Sequence, residues 1–62
     1  MNGKQVLQQL KAAGWVVVRI KGSHHMVRKD DQLCPVPVHG TSDIASGTLA
    51  KIARITGVKF TK

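Results

Sequence analysis

The chain has 62 residues, of which 42% are hydrophobic, and ten lysines and arginines against three aspartates give it a formal net charge of +7. Chains this short bury only about 60% of their unfolded surface, so the length predicts one domain, 1–62. The composition excludes a disordered chain, a membrane span and an intramolecular disulfide. We therefore expect a folded cytoplasmic protein with an anionic partner.

The first predicted element is an amphipathic helix over residues 2–13. Its apolar residues recur with helical spacing at Val6, Leu7, Leu10 and Ala13. Asn2 and Gln5 have the spacing of a capping box, and Gly14 follows where a helix needs a left-handed residue. The sequence therefore predicts both where this helix begins and where it ends.

Three strands are predicted next, over residues 15–20, 24–29 and 33–39, because each segment is short, rich in strand-forming residues and bounded by turn residues. The first two are expected to form a hairpin. Pro35 and Pro37 have no N–H donor, so the third strand is expected at a sheet edge.

A loop over residues 40–45 leads to a second helix that Ser46 can cap and Gly57 ends. One helix face carries Leu49, Ile52, Ala53 and Thr56. The order helix-strand-strand-strand-helix predicts an α+β fold. We expect a three-stranded antiparallel sheet with both helices on one face and the other face open to a ligand.

Chemistry is concentrated at Gly22-Ser23-His24-His25, with a third histidine at His39. Histidine is the side chain that exchanges protons most readily near neutral pH. Neighbouring strand residues point to opposite faces, so only one of His24 and His25 is expected to be catalytic. The same pattern also allows one imidazole to pack against the sheet and the other to be solvated.

Metal and thiol chemistry are the rival interpretations. His24, His25 and His39 are candidate metal ligands, but neighbouring strand positions diverge and the acidic residues lie elsewhere, so we expect no metal site. Cys34 could be a nucleophile beside His39. Its Leu-Cys-Pro-Val context favours a small buried hydrophobe instead.

Four basic residues flank the histidine turn and could bind consecutive phosphates: Arg19, Lys21, Arg28 and Lys29. The only aromatic residues are Trp15 and Phe60, too few for a base-stacking surface, so sequence selectivity is expected to be weak. The same fold and charge would also suit a non-catalytic RNA-binding module with structural histidines, or an adaptor for an acidic protein.

Several motifs, in chain order, resemble the HicA toxin family. They are Asn-Gly-Lys-Gln-Val-Leu-Gln-Gln-Leu, Gly14-Trp15, Arg19, Gly22-Ser23-His24-His25, Val36-Pro37-Val38-His39, Gly47-Thr48-Leu49, Ile52 and Gly57. The resemblance runs through nearly the whole chain. It implies a fold like the double-stranded-RNA-binding domain and an mRNA interferase from a bacterial type II toxin–antitoxin pair.

By this resemblance, the family's histidine in the Gly-Ser-x-His region carries over to His24, which we favour, or alternatively to His25. The expected RNA-binding residues are Arg19, Lys21, Gly22, Ser23, Arg28, Lys29 and His39. The implied partners are mRNA and a HicB-like antitoxin, with no membrane, and with DNA reached only through the antitoxin. A neutral histidine could take the proton of the RNA 2′-hydroxyl, so we expect cleavage without metal or cofactor.

Overall fold

The computed structural model describes residues 1–60. The elements are α1 (Gly3–Ala12), β1 (Val16–Lys21), β2 (His24–Lys29), β3 (Gln32–Pro37) and α2 (Ser46–Thr56). The strands form one antiparallel sheet in the order β1-β2-β3. The predicted α+β fold is confirmed, and β3 lies at an edge as its prolines require.

Helix α1 begins and ends where the sequence predicts. The side chain of Asn2 accepts the N–H of Gln5, and the Gln5 side chain accepts the N–H of Asn2, both at 2.9 Å. This is the predicted capping box. Gly14 follows the C-cap residue Ala13 and has a φ of 98°, so the glycine ends the helix in a conformation that other residues rarely adopt.

Helix α2 ends at Gly57, whose φ of 73° is the predicted left-handed cap. The expectation that Ser46 caps its N-terminus is wrong. Ala45 is the N-cap, no side chain accepts a hydrogen bond there, and Ser46 is the first helical residue. With one end uncapped, α2 depends on its apolar face, where Ile52 is buried and Leu49 is half-buried against the core.

A single hydrophobic cluster joins both helices to one face of the sheet. Its buried members are Val6, Leu7, Leu10, Trp15, Val27, Cys34, Val36 and Ile52. Because α1, α2 and the strands all contribute, the helices cover the same face and leave the other open. Cys34 is fully buried in this cluster, which confirms it as a small core hydrophobe.

The edge strand β1 contains a bulge. Val17 pairs with Val27 and Arg19 pairs with Met26, so Val18 between them has no partner on β2. The extra residue reverses the alternation of the side chains that follow it. Arg19 therefore points to the open face, although strict alternation from Val17 would have turned it towards the helices.

The predicted loop at 40–45 is held by an isolated bridge between Asn2 and Asp43 and by a 2.8 Å hydrogen bond from the Ile44 N–H to the Met1 carbonyl. It connects β3 to α2 across the start of α1. Neither α1 nor α2 is long and apolar enough to cross a membrane, and no other helix occurs in residues 1–60.

Candidate nucleic-acid interface

The hairpin turn between β1 and β2 fixes the position of the histidine pair. Lys21 pairs with His24 across the two-residue loop Gly22-Ser23, and Gly22 has a φ of 59°. A positive φ at the first central position suits the twist of a two-residue hairpin. The N–H of Val38 donates to the Ser23 carbonyl at 2.7 Å, so the chain leaving β3 is fastened to this turn.

His24 and His25 point to opposite faces of the sheet, as predicted. His25 pairs with the fully buried Val36 and is itself half-buried on the helix side. Its Nδ1 atom is buried and has no hydrogen-bond partner among residues 1–60. His24 lies on the open face and is exposed, so it is the histidine that a large substrate can reach.

A shallow cationic concavity surrounds His24 on the open face. Its volume is about 350 Å³, and it is lined by Arg19, Lys21, His24, Met26 and Pro35. The bulge in β1 puts both cations on this face, where they can bind a phosphate beside the imidazole. The lining contains no carboxylate, so the concavity is suited to an anion.

The other predicted phosphate-binding residues lie elsewhere. Arg28 shares the open face but is four residues from His24 along β2, roughly 13 Å, and its Nε donates to the Asp30 carbonyl at 2.8 Å. Lys29 lies on the helix side, where its Nζ donates to the Ala13 carbonyl at 2.8 Å. The structure thus brings Arg19 and Lys21 to His24 and keeps Arg28 and Lys29 away.

His39 lies at the same end of the sheet as the hairpin turn, because it follows Val38 directly and Val38 is bonded to Ser23. It is exposed in the loop after β3. The carbonyl of His39 accepts the N–H of Ser42 at 3.0 Å. All three histidines therefore belong to one end of the molecule, with His24 and His39 exposed.

A second concavity of about 520 Å³ lies between β3 and α2, and His24 and Pro35 line this one as well. On the α2 side it is lined by Thr48, Lys51 and Ile55. Sequence reasoning missed these residues and treated Lys51 as solvated surface. The available signal was the i, i+3 spacing of Thr48 and Lys51, which places them on one side of the helix.

Cys34 lies at the floor of this second concavity. Burial raises the pKa of its thiol above the ordinary value, and the positive charge of Lys51 opposes that shift. A neutral buried thiol is a poor nucleophile. Within residues 1–60, histidine, cysteine and aspartate side chains do not gather in a group of three or more that could hold a metal ion.

Comparison of the chain with curated proteins gave no match, and comparison with solved structures gave none either. The family model described as the HicA toxin of bacterial toxin-antitoxin matches residues 3–58. That segment includes the sheet, both helices, the hairpin turn and every residue of the two concavities. The chain therefore belongs to the HicA family of toxins, which implies an antitoxin as its partner.

Proposed function

We propose that this toxin is a metal-independent endoribonuclease that cleaves mRNA in the cytoplasm, with His24 as its general base. One observation carries the proposal: the exposed imidazole of His24 lies in a concavity that also contains Arg19 and Lys21. The arrangement combines a proton acceptor with two cations that can bind the phosphate on which it acts.

RNA supplies its own nucleophile. His24 takes the proton of a 2′-hydroxyl as that oxygen forms a bond to the adjacent phosphorus, and the bond from phosphorus to the 5′-oxygen breaks. The products are a 2′,3′-cyclic phosphate and a 5′-hydroxyl, whose proton comes from water or from His39. Arg19 and Lys21 stabilise the negative charge that builds on the phosphoryl oxygens.

Hydrogen bonding favours His24 over His25 as the base. A base that has accepted a proton is an imidazolium, which donates from both ring nitrogens. The buried Nδ1 of His25 has no acceptor within the described chain, and a buried donor without a partner costs about 1–3 kcal/mol. Water can complete the hydrogen bonds of the exposed His24.

The cationic open face also provides a surface for inhibition. We expect a HicB-like antitoxin with an acidic surface to cover the concavity around His24 and to exclude RNA from Arg19 and Lys21. Contact with DNA would then occur only through the antitoxin. Occlusion of one site by one partner needs no conformational change in the toxin.

The histidine assignment is tested with purified protein, RNA and two variants. His24→Ala should lower the cleavage rate by at least about a hundredfold, the usual contribution of a positioned base, with circular dichroism and thermal midpoint almost unchanged. His25→Ala should retain more activity but lose stability, because its ring packs on the core side. An inactive His25→Ala protein beside a fully active His24→Ala protein would show that the assignment within the pair is wrong.

The products of the same assay test the chemistry. An RNA with a 2′-deoxy sugar at the cleaved position should resist the enzyme, and excess EDTA should change the rate on ordinary RNA by less than about fivefold. Products with a 3′-hydroxyl, or activity lost in EDTA and restored by magnesium, would contradict the histidine mechanism. RNA binding without cleavage would instead indicate a non-catalytic module.

A further inference from the structure

The concavity around His24 and the groove between β3 and α2 adjoin each other. They share two lining residues, His24 on β2 and Pro35 on β3. A polymer whose phosphate lies against His24 and Arg19 must continue in some direction from there. The groove is directly adjacent, and its volume of about 520 Å³ is within the roughly 300–1,000 Å³ of small-molecule sites.

The lining of the groove suits a flat apolar ring. Pro35, Pro37 and Ile55 provide apolar walls, and Ile52 forms part of the floor. The β3 edge is a poor place to add a strand, because prolines at alternate positions cannot donate backbone hydrogen bonds. A nucleobase needs no such donors, since its faces bind through apolar contact.

The rim of the groove adds a positive charge. Lys51 is exposed and forms no ion pair with any residue in the described chain. Its side chain lines the groove together with Thr48 and Ile55, so the positive charge belongs to the α2 side of the groove. A phosphate next to a base held in the groove would thus meet a cation on the far side from Arg19 and Lys21.

We propose that the groove between β3 and α2 is a second RNA subsite, which holds the nucleobase next to the scissile phosphate between Pro37 and Ile55 while Lys51 binds the following phosphate. The inference rests on the proposed function. It extends the substrate path from the sheet face onto α2, a helix that the reaction itself does not require.

The contribution of the Lys51 charge is tested by measuring the binding of a short fluorescein-labelled single-stranded RNA. This RNA is 2′-O-methylated throughout, so that internal attack cannot cleave it. Fluorescence anisotropy gives Kd over a range of salt concentrations. Lys51→Met should weaken binding about five- to tenfold at low salt and reduce the slope of log K against log salt by about 0.7, the value for one phosphate on a single strand. The matched control is Lys11→Met, an exposed lysine on α1 away from both concavities, which should change Kd by less than about twofold.

Binding of a nucleobase in the groove is tested by comparing the ordinary oligonucleotide with an abasic one of equal length and charge. Ile55→Thr, which keeps the side chain branched but makes it polar, should weaken binding of the ordinary oligonucleotide several-fold and leave binding of the abasic one unchanged. Because Ile55 is half-buried, thermal midpoints are measured to verify that the Ile55→Thr variant still folds. An equal loss for both oligonucleotides would contradict a base in the groove.

The two proposals fail in different ways. If Lys51→Met and Lys11→Met bind the oligonucleotide equally well while His24→Ala still abolishes cleavage, the subsite is wrong and the nuclease assignment stands. If no RNA is cleaved but Lys51→Met binds more weakly, the groove binds RNA and the catalytic proposal is wrong. If Lys51→Met weakens only the complex with the antitoxin, the groove binds the antitoxin instead of RNA and the inference is overturned.

Discussion

At the scale of single residues, the site depends on where neighbouring side chains point. His24 and His25 are adjacent, yet one is exposed on the cationic face and the other is half-buried beside Val36. The pleat of a strand separates them. Sequence reasoning could predict that separation but not which histidine faced outward, because the burial of His25 depends on packing beneath the sheet.

Cys34 gives a prediction about reactivity. Its thiol is fully buried and its pKa is raised, so both access and thiolate content are low. Iodoacetamide should alkylate the folded protein far more slowly than the protein in urea, as followed by mass spectrometry. Equal rates in the two conditions would mean that the thiol is exposed in solution.

The raised pKa of Cys34 also makes the stability of the folded protein depend on pH. Below the ordinary thiol pKa of 9.0 both folded and unfolded chains hold the proton, and the contribution of Cys34 is complete. As pH rises past that value, the unfolded chain loses its proton first, so the contribution declines until the folded pKa is passed. The free energy of unfolding of the native protein should then fall faster with pH than that of Cys34→Ala.

At the scale of elements, the start of α1 packs unusually close to the end of β3. A Cβ at Gly3 would lie 2.6 Å from the Pro37 carbonyl oxygen and 2.7 Å from Cγ2 of Val38. The obstacle is largely backbone, and it is the same backbone that is bonded to the Ser23 turn. Glycine at this helical position therefore keeps α1, β3 and the hairpin turn together.

Two alanine substitutions separate close packing from helix propensity. Gly3→Ala should destabilise the fold by about 1–3 kcal/mol, because overpacking outweighs alanine's preference for helix. Gly47→Ala in α2 meets no atom within 4 Å and should stabilise it by about 0.4–1 kcal/mol. Urea denaturation measures both, and a stabilising Gly3→Ala would contradict the close approach.

The elements also show how far local signals reach. The capping box at Asn2, the glycines that end both helices, the hairpin and the edge position of β3 all follow from residues within a few positions of one another, and the sequence predicts each of them. The sequence does not predict the N-terminus of α2 or the bulge at Val18. Ala45 serves as a cap without a capping side chain because tertiary packing holds the helix, and nothing local in a run of three valines marks which one is unpaired.

At the scale of the whole molecule, charge and shape act together. The net charge of +7 is spread over the surface, but α1 and α2 cover one face of the sheet and leave the cations of β1 on the other. The likeness to the double-stranded-RNA-binding domain stays a prediction. The family assignment and the α+β architecture, in contrast, are both established.

Ionic strength should affect the two partners of the open face in a related way. We expect RNA and an acidic antitoxin to compete for Arg19 and Lys21, and the association rate of the antitoxin should fall as salt rises and screens the attraction. Stopped-flow measurements between low and physiological salt test this. Charge reversal at both Arg19 and Lys21 should slow association relative to the unmodified toxin at the same salt concentration. Charge reversal at Lys4 and Lys11 on α1 should have a smaller effect. An antitoxin that binds while RNA still reaches His24 would contradict occlusion.

The unpaired Val18 makes the length of β1 adjustable at one position. Its removal would leave Val17 followed directly by Arg19 in regular alternation, with Arg19 still opposite Met26 and its charge still on the open face. Loss of Ile20 would instead turn Lys21 towards the core. We therefore expect deletion of Val18 to preserve the cationic surface and deletion of Ile20 to remove Lys21 from it.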